Sequence, residues 1–148
     1  MADDPTTASG FVMSANVVNP VELHDPIAFG YSHTVTVPPG GGLVFVAGQY
    51  ASDRHGHTVS GDFATQVEQS FANLRLALGA VGVDLGDVVQ LRTYIVDHGP
   101  DKLDVLVAAV RRIWGDRPPA QTLVGVADLA LPDMRFEVDA VAVRPTRD

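Results

Sequence analysis

Residues 62–97 read "DFATQVEQSFANLRLALGAVGVDLGDVVQLRTYIVD", and the spacing of apolar residues changes within this stretch. In its first half they recur every three or four residues, which places them on one stripe of an α-helix. The stripe consists of Phe63, Val67, Phe71, Leu74, Leu78 and Val81. Ser60 or Asp62 is a suitable N-cap for this helix, and Gly82 is a suitable C-cap. The pattern therefore predicts an amphipathic helix with one face in the core.

The second half of the stretch predicts a β-strand over residues 87–97, because apolar and polar residues alternate there. A second helix is expected over residues 99–115, with Pro100 at its first position and Gly115 at its end. Its apolar face consists of Leu103, Leu106, Val107, Val110 and Trp114. Two further strands are predicted over residues 121–127 and 134–143. In the last strand, Arg135, Glu137 and Asp139 share the face opposite Met134, Phe136, Val138, Ala140 and Ala142.

Two strands are expected before the first helix, over residues 33–37 and 43–47. The sequence PPGGG between them favours a turn, so the two strands resemble a hairpin. The resulting order indicates an α+β domain whose sheet carries two helices on one face. Residues 43–47 are apolar at every position, and Val141 and Val143 lie on the second face of the last strand. Since two helices cover one face only, we expect another copy of the chain to cover the other.

Length and composition indicate one globular domain. The chain has 148 residues, of which 46% are hydrophobic and 19% charged. We expect an N-terminal arm over residues 1–24 and a single domain over residues 25–148. The formal net charge of −8 disfavours nucleic-acid binding, which requires a basic surface. The chain contains no cysteine, no signal-like N-terminus and no apolar run long enough for a membrane span, so a cytoplasmic location is expected.

Few residues point to chemistry by pattern alone, since nucleophile-elbow and phosphate-loop motifs are missing. His55 and His57 flank a glycine in a polar loop, but two histidines without a third ligand favour a solvated turn over a metal site. Glu137 lies in mid-strand between apolar neighbours, where a covering subunit would raise its pKa into the range of an acid or base. The alternative for Glu137 is a structural ion pair with Arg92 or Arg135.

Four blocks together resemble the Rid family of reactive-intermediate deaminases, also called YjgF-like or L-PSP proteins. They are VFVAGQ (44–49), residues 66–97, RPPAQTLVGVADL (117–129) and FEVDAVAVRP (136–145). The resemblance implies a chorismate mutase-like fold, a homotrimer with small-molecule clefts between subunits, and hydrolysis of enamines or imines without metal or organic cofactor. It also implies a site formed by Glu137, by the turn at Ala47, Gly48 and Gln49, and by Tyr31.

The resemblance places Gln121 at the position where the family carries a carboxylate-binding arginine. A guanidinium gives a carboxylate two charge-assisted hydrogen bonds, whereas an amide gives one ordinary bond. Ala47 likewise replaces a serine, and Arg92 or Arg135 would have to supply any compensating charge. The sequence therefore predicts a Rid-like hydrolase, with Glu137 and Gln121 as catalytic residues, whose substrate lacks the usual carboxylate. The alternative is a non-catalytic trimer that binds a small ligand; RNA cleavage is disfavoured by the acidic surface.

Overall fold

The computed structural model describes residues 15–59 and 61–145, so residues 1–14 of the predicted arm and the candidate cap Ser60 lie outside the description. The strands are β1 (Asn16–Val18), β2 (Thr34–Thr36), β3 (Gly42–Gln49), β4 (Val88–Val96), β5 (Ala120–Val126) and β6 (Phe136–Arg144). The helices are α1 (Phe63–Gly79) and α2 (Pro100–Trp114). The predicted order of helices and strands is confirmed, with β1 added within the segment expected to be an arm.

The main sheet has the strand order β3-β6-β4-β5. Strand β6 is antiparallel to both β3 and β4, whereas β4 and β5 are parallel and are joined through α2. This is the mixed sheet expected for an α+β domain. A crossover helix is needed here because parallel neighbours cannot be joined by a tight turn.

The predicted hairpin between residues 33–37 and 43–47 is wrong. Strand β2 pairs with β1 in a separate two-stranded sheet, and β3 pairs with β6 at the other end of the chain. The turn at PPGGG reverses the chain, but it does not determine which strand pairs with β3. The eight residues of β3 instead pair with the nine-residue β6, which gives a longer ladder of hydrogen bonds than the short β2 offers.

Both helices pack on the same face of the sheet and enclose one core. The helices contribute Val67, Phe71, Leu74, Leu78, Leu106, Ala109 and Val110, and the sheet contributes Leu91, Ile95, Phe136, Val138, Ala140 and Ala142. This confirms the predicted apolar faces of β4 and β6. Because each fully buried aliphatic side chain contributes roughly 1.5–3 kcal/mol, the core fixes how the helices and strands are placed.

The predicted caps of α1, Asp62 and Gly82, are both confirmed. Asp62 is the N-cap, and its carboxylate accepts a hydrogen bond from the backbone N–H of Thr65. At the other end, Gly82 has a left-handed φ of 79°, its N–H donates to the Gly79 carbonyl, and the Val83 N–H donates to the Leu78 carbonyl. Gly82 therefore closes the helix end as predicted, three residues after the last α-helical residue, Gly79.

Val81, which was expected on the apolar stripe of the helix, is instead 42% exposed. Val83 and Leu85, which follow the turn, enter the core.

The face of the sheet opposite the helices is open. Leu43 is 57% exposed and Phe45 is 74% exposed, and Val141 beside Phe45 is only partly buried. Val143, expected on this same face, is buried instead because Gly41 lies against its Cγ1 atom. None of the described helices combines the length and the apolar character needed to cross a membrane.

Candidate functional site

A β-bulge brings Gly48 against Glu137. Between β3 and β6 the pairing runs from Val46 with Ala140 to Gln49 with Val138, so Ala47 and Gly48 together oppose one residue of β6. A methyl group built on Gly48 would lie 2.1 Å from Oε1 of Glu137. Only glycine admits the carboxylate in this position, and bulges of this kind often re-aim side chains beside functional sites.

The carboxylate of Glu137 is partly buried and has no ion-pair partner within residues 15–59 and 61–145. Burial raises the pKa of Glu137 above its ordinary value, and the negative charge of Asp139 raises it further. A carboxyl group whose pKa moves toward neutrality can both accept and return a proton. The proposed ion pairs of Glu137 with Arg92 and Arg135 are not observed.

Arg92 is engaged elsewhere on the same face, where its Nε donates to Oδ1 of Asp139 over 2.9 Å. The hydroxyl of Tyr94 donates to the other oxygen of Asp139 over 3.1 Å. Burial and the neighbouring charge of Asp139 raise the pKa of Tyr94. Tyr94 and Asp139 were not among the predicted site residues, although Asp139 was predicted on the face of Glu137. The alternation of β4 and β6 was the available signal, because it places both on the face that carries Glu137.

The second group of predicted residues lies around Gln121. Its Nε2 donates to the carbonyl of Gly30 over 3.0 Å, and its Oε1 lies 3.4 Å from the hydroxyl of Thr93. Gln121 and Tyr31 both line a cavity of about 490 Å³ between α2 and the edge of β5. The other lining residues are His24, Phe29, Leu103, Leu106 and Leu123. The structure thus brings Gln121 and Tyr31 together beneath α2.

The sheet separates these two groups within one chain. Gln121 pairs with Leu91, whose side chain is buried on the helix face. Glu137 pairs with Tyr94, three residues further along β4 and therefore on the opposite face. Ala47 and Gly48 lie with Glu137, and the Gln49 side chain turns back so that its Nε2 donates to the Ala47 carbonyl over 3.2 Å. Within one chain, the two groups consequently do not meet in a single site.

The remaining candidates lie apart from both groups. His57 is 3.7 Å from Asp53 in an exposed loop, and Arg135 donates to the carbonyl of Pro132 over 3.1 Å. Within the described part of the chain, no three His, Asp or Glu side chains converge as metal ligands. The loop that carries His55 and His57 forms a turn, in which the carboxylate of Asp53 accepts hydrogen bonds from the backbone N–H groups of both histidines.

Comparisons with known proteins identify the family of the chain. A family profile described as endoribonuclease L-PSP matches residues 23–144. A RutC family protein of Pyrococcus horikoshii is 31% identical over 106 residues, which cover 70% of this chain and 81% of that protein. A 2-iminobutanoate/2-iminopropanoate deaminase of Salmonella typhimurium is 28% identical over 107 residues, covering 70% of this chain and 81% of the deaminase.

Among solved structures, YyfB of Yersinia pestis, described as a Rid family protein of unknown function, superposes with a TM-score of 0.82 and 37% identity. The match covers 88% of this chain and 99% of YyfB. The profile spans most of the chain, and the structural match covers nearly the whole of YyfB. The chain therefore belongs to the Rid family, also called YjgF-like or L-PSP.

Proposed function

We propose that this protein is a Rid-type hydrolase that acts on a small, uncharged imine or enamine in a cleft between the subunits of a homotrimer. The observation that carries the proposal is the placement of Glu137, whose carboxylate lies against the Gly48 bulge with a raised pKa. Relatives that bear the name of imine deaminases support the reaction class.

The open sheet face supports the assembly. Leu43, Phe45 and Val141 form an apolar surface beside the bulge, and a second copy of the chain would remove it from water. Such a copy would also bring the Glu137 group and the Gln121 group together, because the Glu137 face of one subunit can meet the Gln121 edge of the next. We therefore propose that every complete site draws on two subunits.

The reaction needs one water molecule and one group that moves protons. The water oxygen adds to the carbon of the C=N bond, and Glu137 accepts the proton that the water loses. Glu137 then returns this proton to nitrogen, which gives a carbinolamine. A second transfer through Glu137 moves the hydroxyl proton to nitrogen as the C–N bond breaks, and ammonia and a carbonyl compound leave. An enamine first gains a proton on carbon and loses one from nitrogen to become the imine. The raised pKa of Glu137 suits both directions of transfer.

Gln121 defines the substrate class. The carboxamide already donates to the carbonyl of Gly30 and faces the hydroxyl of Thr93 with its oxygen. It keeps one N–H and one lone pair for a ligand. This is enough to orient a neutral imine nitrogen or carbonyl, but it supplies no charge to hold a carboxylate. Arg92 does not compensate, because its guanidinium is already paired with the carboxylate of Asp139.

Ammonia release from freshly generated imines tests the proposal. We expect turnover of neutral imines to exceed turnover of 2-aminoacrylate, and we expect Glu137→Gln to abolish both. Full activity of this variant, or no turnover with any imine, would refute the hydrolase. A trimer that binds a ligand without consuming it is the second candidate, and the hydrogen bond from Gln121 to Gly30 favours it because the amide has a structural role. A ligand that raises Tm and remains intact would support that alternative.

RNA is not the substrate we propose, although the family profile carries an endoribonuclease description. The formal net charge of −8 would repel a polyanion. Salt-sensitive RNA binding at physiological ionic strength would contradict this expectation. We also propose a cytoplasmic location, which the lack of cysteine supports.

A further inference from the structure

We infer that the cavity beneath α2 binds an uncharged ligand that carries an aromatic ring. This inference rests on the proposed function for the reacting end of the ligand, and it assigns the remainder of the molecule. The cavity of about 490 Å³ lies within the range of small-molecule sites and is far larger than a two- or three-carbon imine requires.

The chemistry of the cavity wall excludes a charged body. Of the lining residues that the structure describes, four are apolar, and none is Lys, Arg, Asp or Glu. Leu106 is fully buried at the base, whereas Leu103 and Leu123 are partly exposed toward the cavity. A charge placed against three leucines would lose its hydration without gaining a partner.

The aromatic residues of the cavity define the shape of the ligand. The ring of His24 meets Phe29 edge-on at 5.9 Å and 85°, and it meets Tyr31 at 6.0 Å and 67°. Phe29 is 53% exposed and lines the cavity, so part of its ring is open to a ligand. A planar ring inserted here would extend the edge-to-face arrangement and cover Phe29.

The polar residues that line the same cavity are few, namely His24, Tyr31 and Gln121. A hydrogen bond joins Nε2 of His24 to the hydroxyl of Tyr31. Gln121 retains one N–H donor beside them. This set matches one amide, imine or carbonyl group attached to an apolar ring, and it resembles the usual composition of ligand cavities, in which a few polar groups orient an apolar body.

Three probes separate ring from charge: phenylacetamide, phenylacetate and acetamide, titrated by calorimetry into the full-length protein. We expect phenylacetamide to bind at least about tenfold more tightly than either of the others. Equal or tighter binding of phenylacetate or acetamide, or no binding of phenylacetamide up to millimolar concentration, would overturn the inference.

Matched leucine variants locate the binding. Leu103→Ala should weaken the binding of phenylacetamide by about tenfold, because the Leu103 side chain lines the cavity. Leu76→Ala makes the same change on an exposed position of α1, away from this cavity, and should leave the affinity unchanged. Equal effects of the two substitutions would place the ligand elsewhere.

The test distinguishes this inference from the proposed hydrolase, since calorimetry needs no turnover. Selective binding of phenylacetamide without hydrolysis of any imine would overturn the enzyme and keep the aromatic site. Hydrolysis of neutral imines with no preference for a ring would overturn the aromatic site and keep the enzyme.

Discussion

Replacing Gly48 with alanine should disable the candidate acid/base without unfolding the protein. The new methyl group would lie 2.1 Å from Oε1 of Glu137, 2.8 Å from its Cδ and 3.1 Å from its Cγ. An ordinary contact is at least 3.4 Å, so Oε1 must retreat by 3.4 − 2.1 = 1.3 Å. The atoms in the way belong to the end of a flexible side chain, and they can move.

The two expected effects differ greatly in size. A displacement of about 1 Å in a reacting group can reduce the rate on the order of 100-fold, which corresponds to roughly 2.7 kcal/mol of transition-state stabilisation. Gly48 does not have a positive φ, so alanine fits the backbone and recovers about 0.4–1 kcal/mol of chain entropy. We therefore expect a large loss of imine hydrolysis with a change in unfolding free energy of less than about 1 kcal/mol.

Two measurements check the reasoning. The rate of ammonia release gives kcat/KM, and a carbon NMR titration of the Glu137 carboxyl gives its pKa, which should fall toward the ordinary value as the group moves into water. Gly79→Ala is the matched control, because a methyl group there meets nothing within 4 Å. Unchanged activity and an unchanged pKa of Glu137 in Gly48→Ala would show that the close contact has no role.

Three further outcomes are expected. Glu137→Gln should raise Tm at pH 8, because the buried carboxylate with a raised pKa destabilises the fold wherever it is ionised; below the pKa of the unfolded chain this advantage should vanish, and thermal scans at pH 4 and pH 8 check it. Phe45→Asp should convert the proposed trimer into monomers with an unchanged circular dichroism spectrum, as measured by analytical ultracentrifugation, since Phe45 is 74% exposed on the open face. Leu74→Ala should lower the unfolding free energy by about 2–5 kcal/mol in urea titrations, because Leu74 is fully buried.

The helices were predictable because the signals that define them lie within or next to the helical segments themselves. Periodic apolar residues and the cap at Asp62 defined α1, and Pro100 and Gly115 bounded α2 correctly. Strand pairing is not local, which is why the expected hairpin was wrong. Gln66 is a related case. It does not belong to the predicted apolar stripe, yet it is buried, and its amide donates to the carbonyl of Asp133 and accepts from the N–H of Arg135.

The candidate site was predictable in its parts but not in its arrangement. The resemblance supplied Glu137 and Gly48, and the structure adds the bulge that brings them into contact. The same resemblance supplied Gln121 and Tyr31, which the structure places together in one cavity. That the sheet stands between the two pairs follows from strand register, which no short motif encodes.

Because neither face of this sheet holds a complete set of groups, catalysis under the proposed assembly would depend on protein concentration and disappear on dilution to monomers. It would also allow complementation. Chains defective at Glu137 and chains defective at Gln121, each inactive alone, would regain activity after being unfolded and reassembled together, since some clefts would then combine one intact half from each parent.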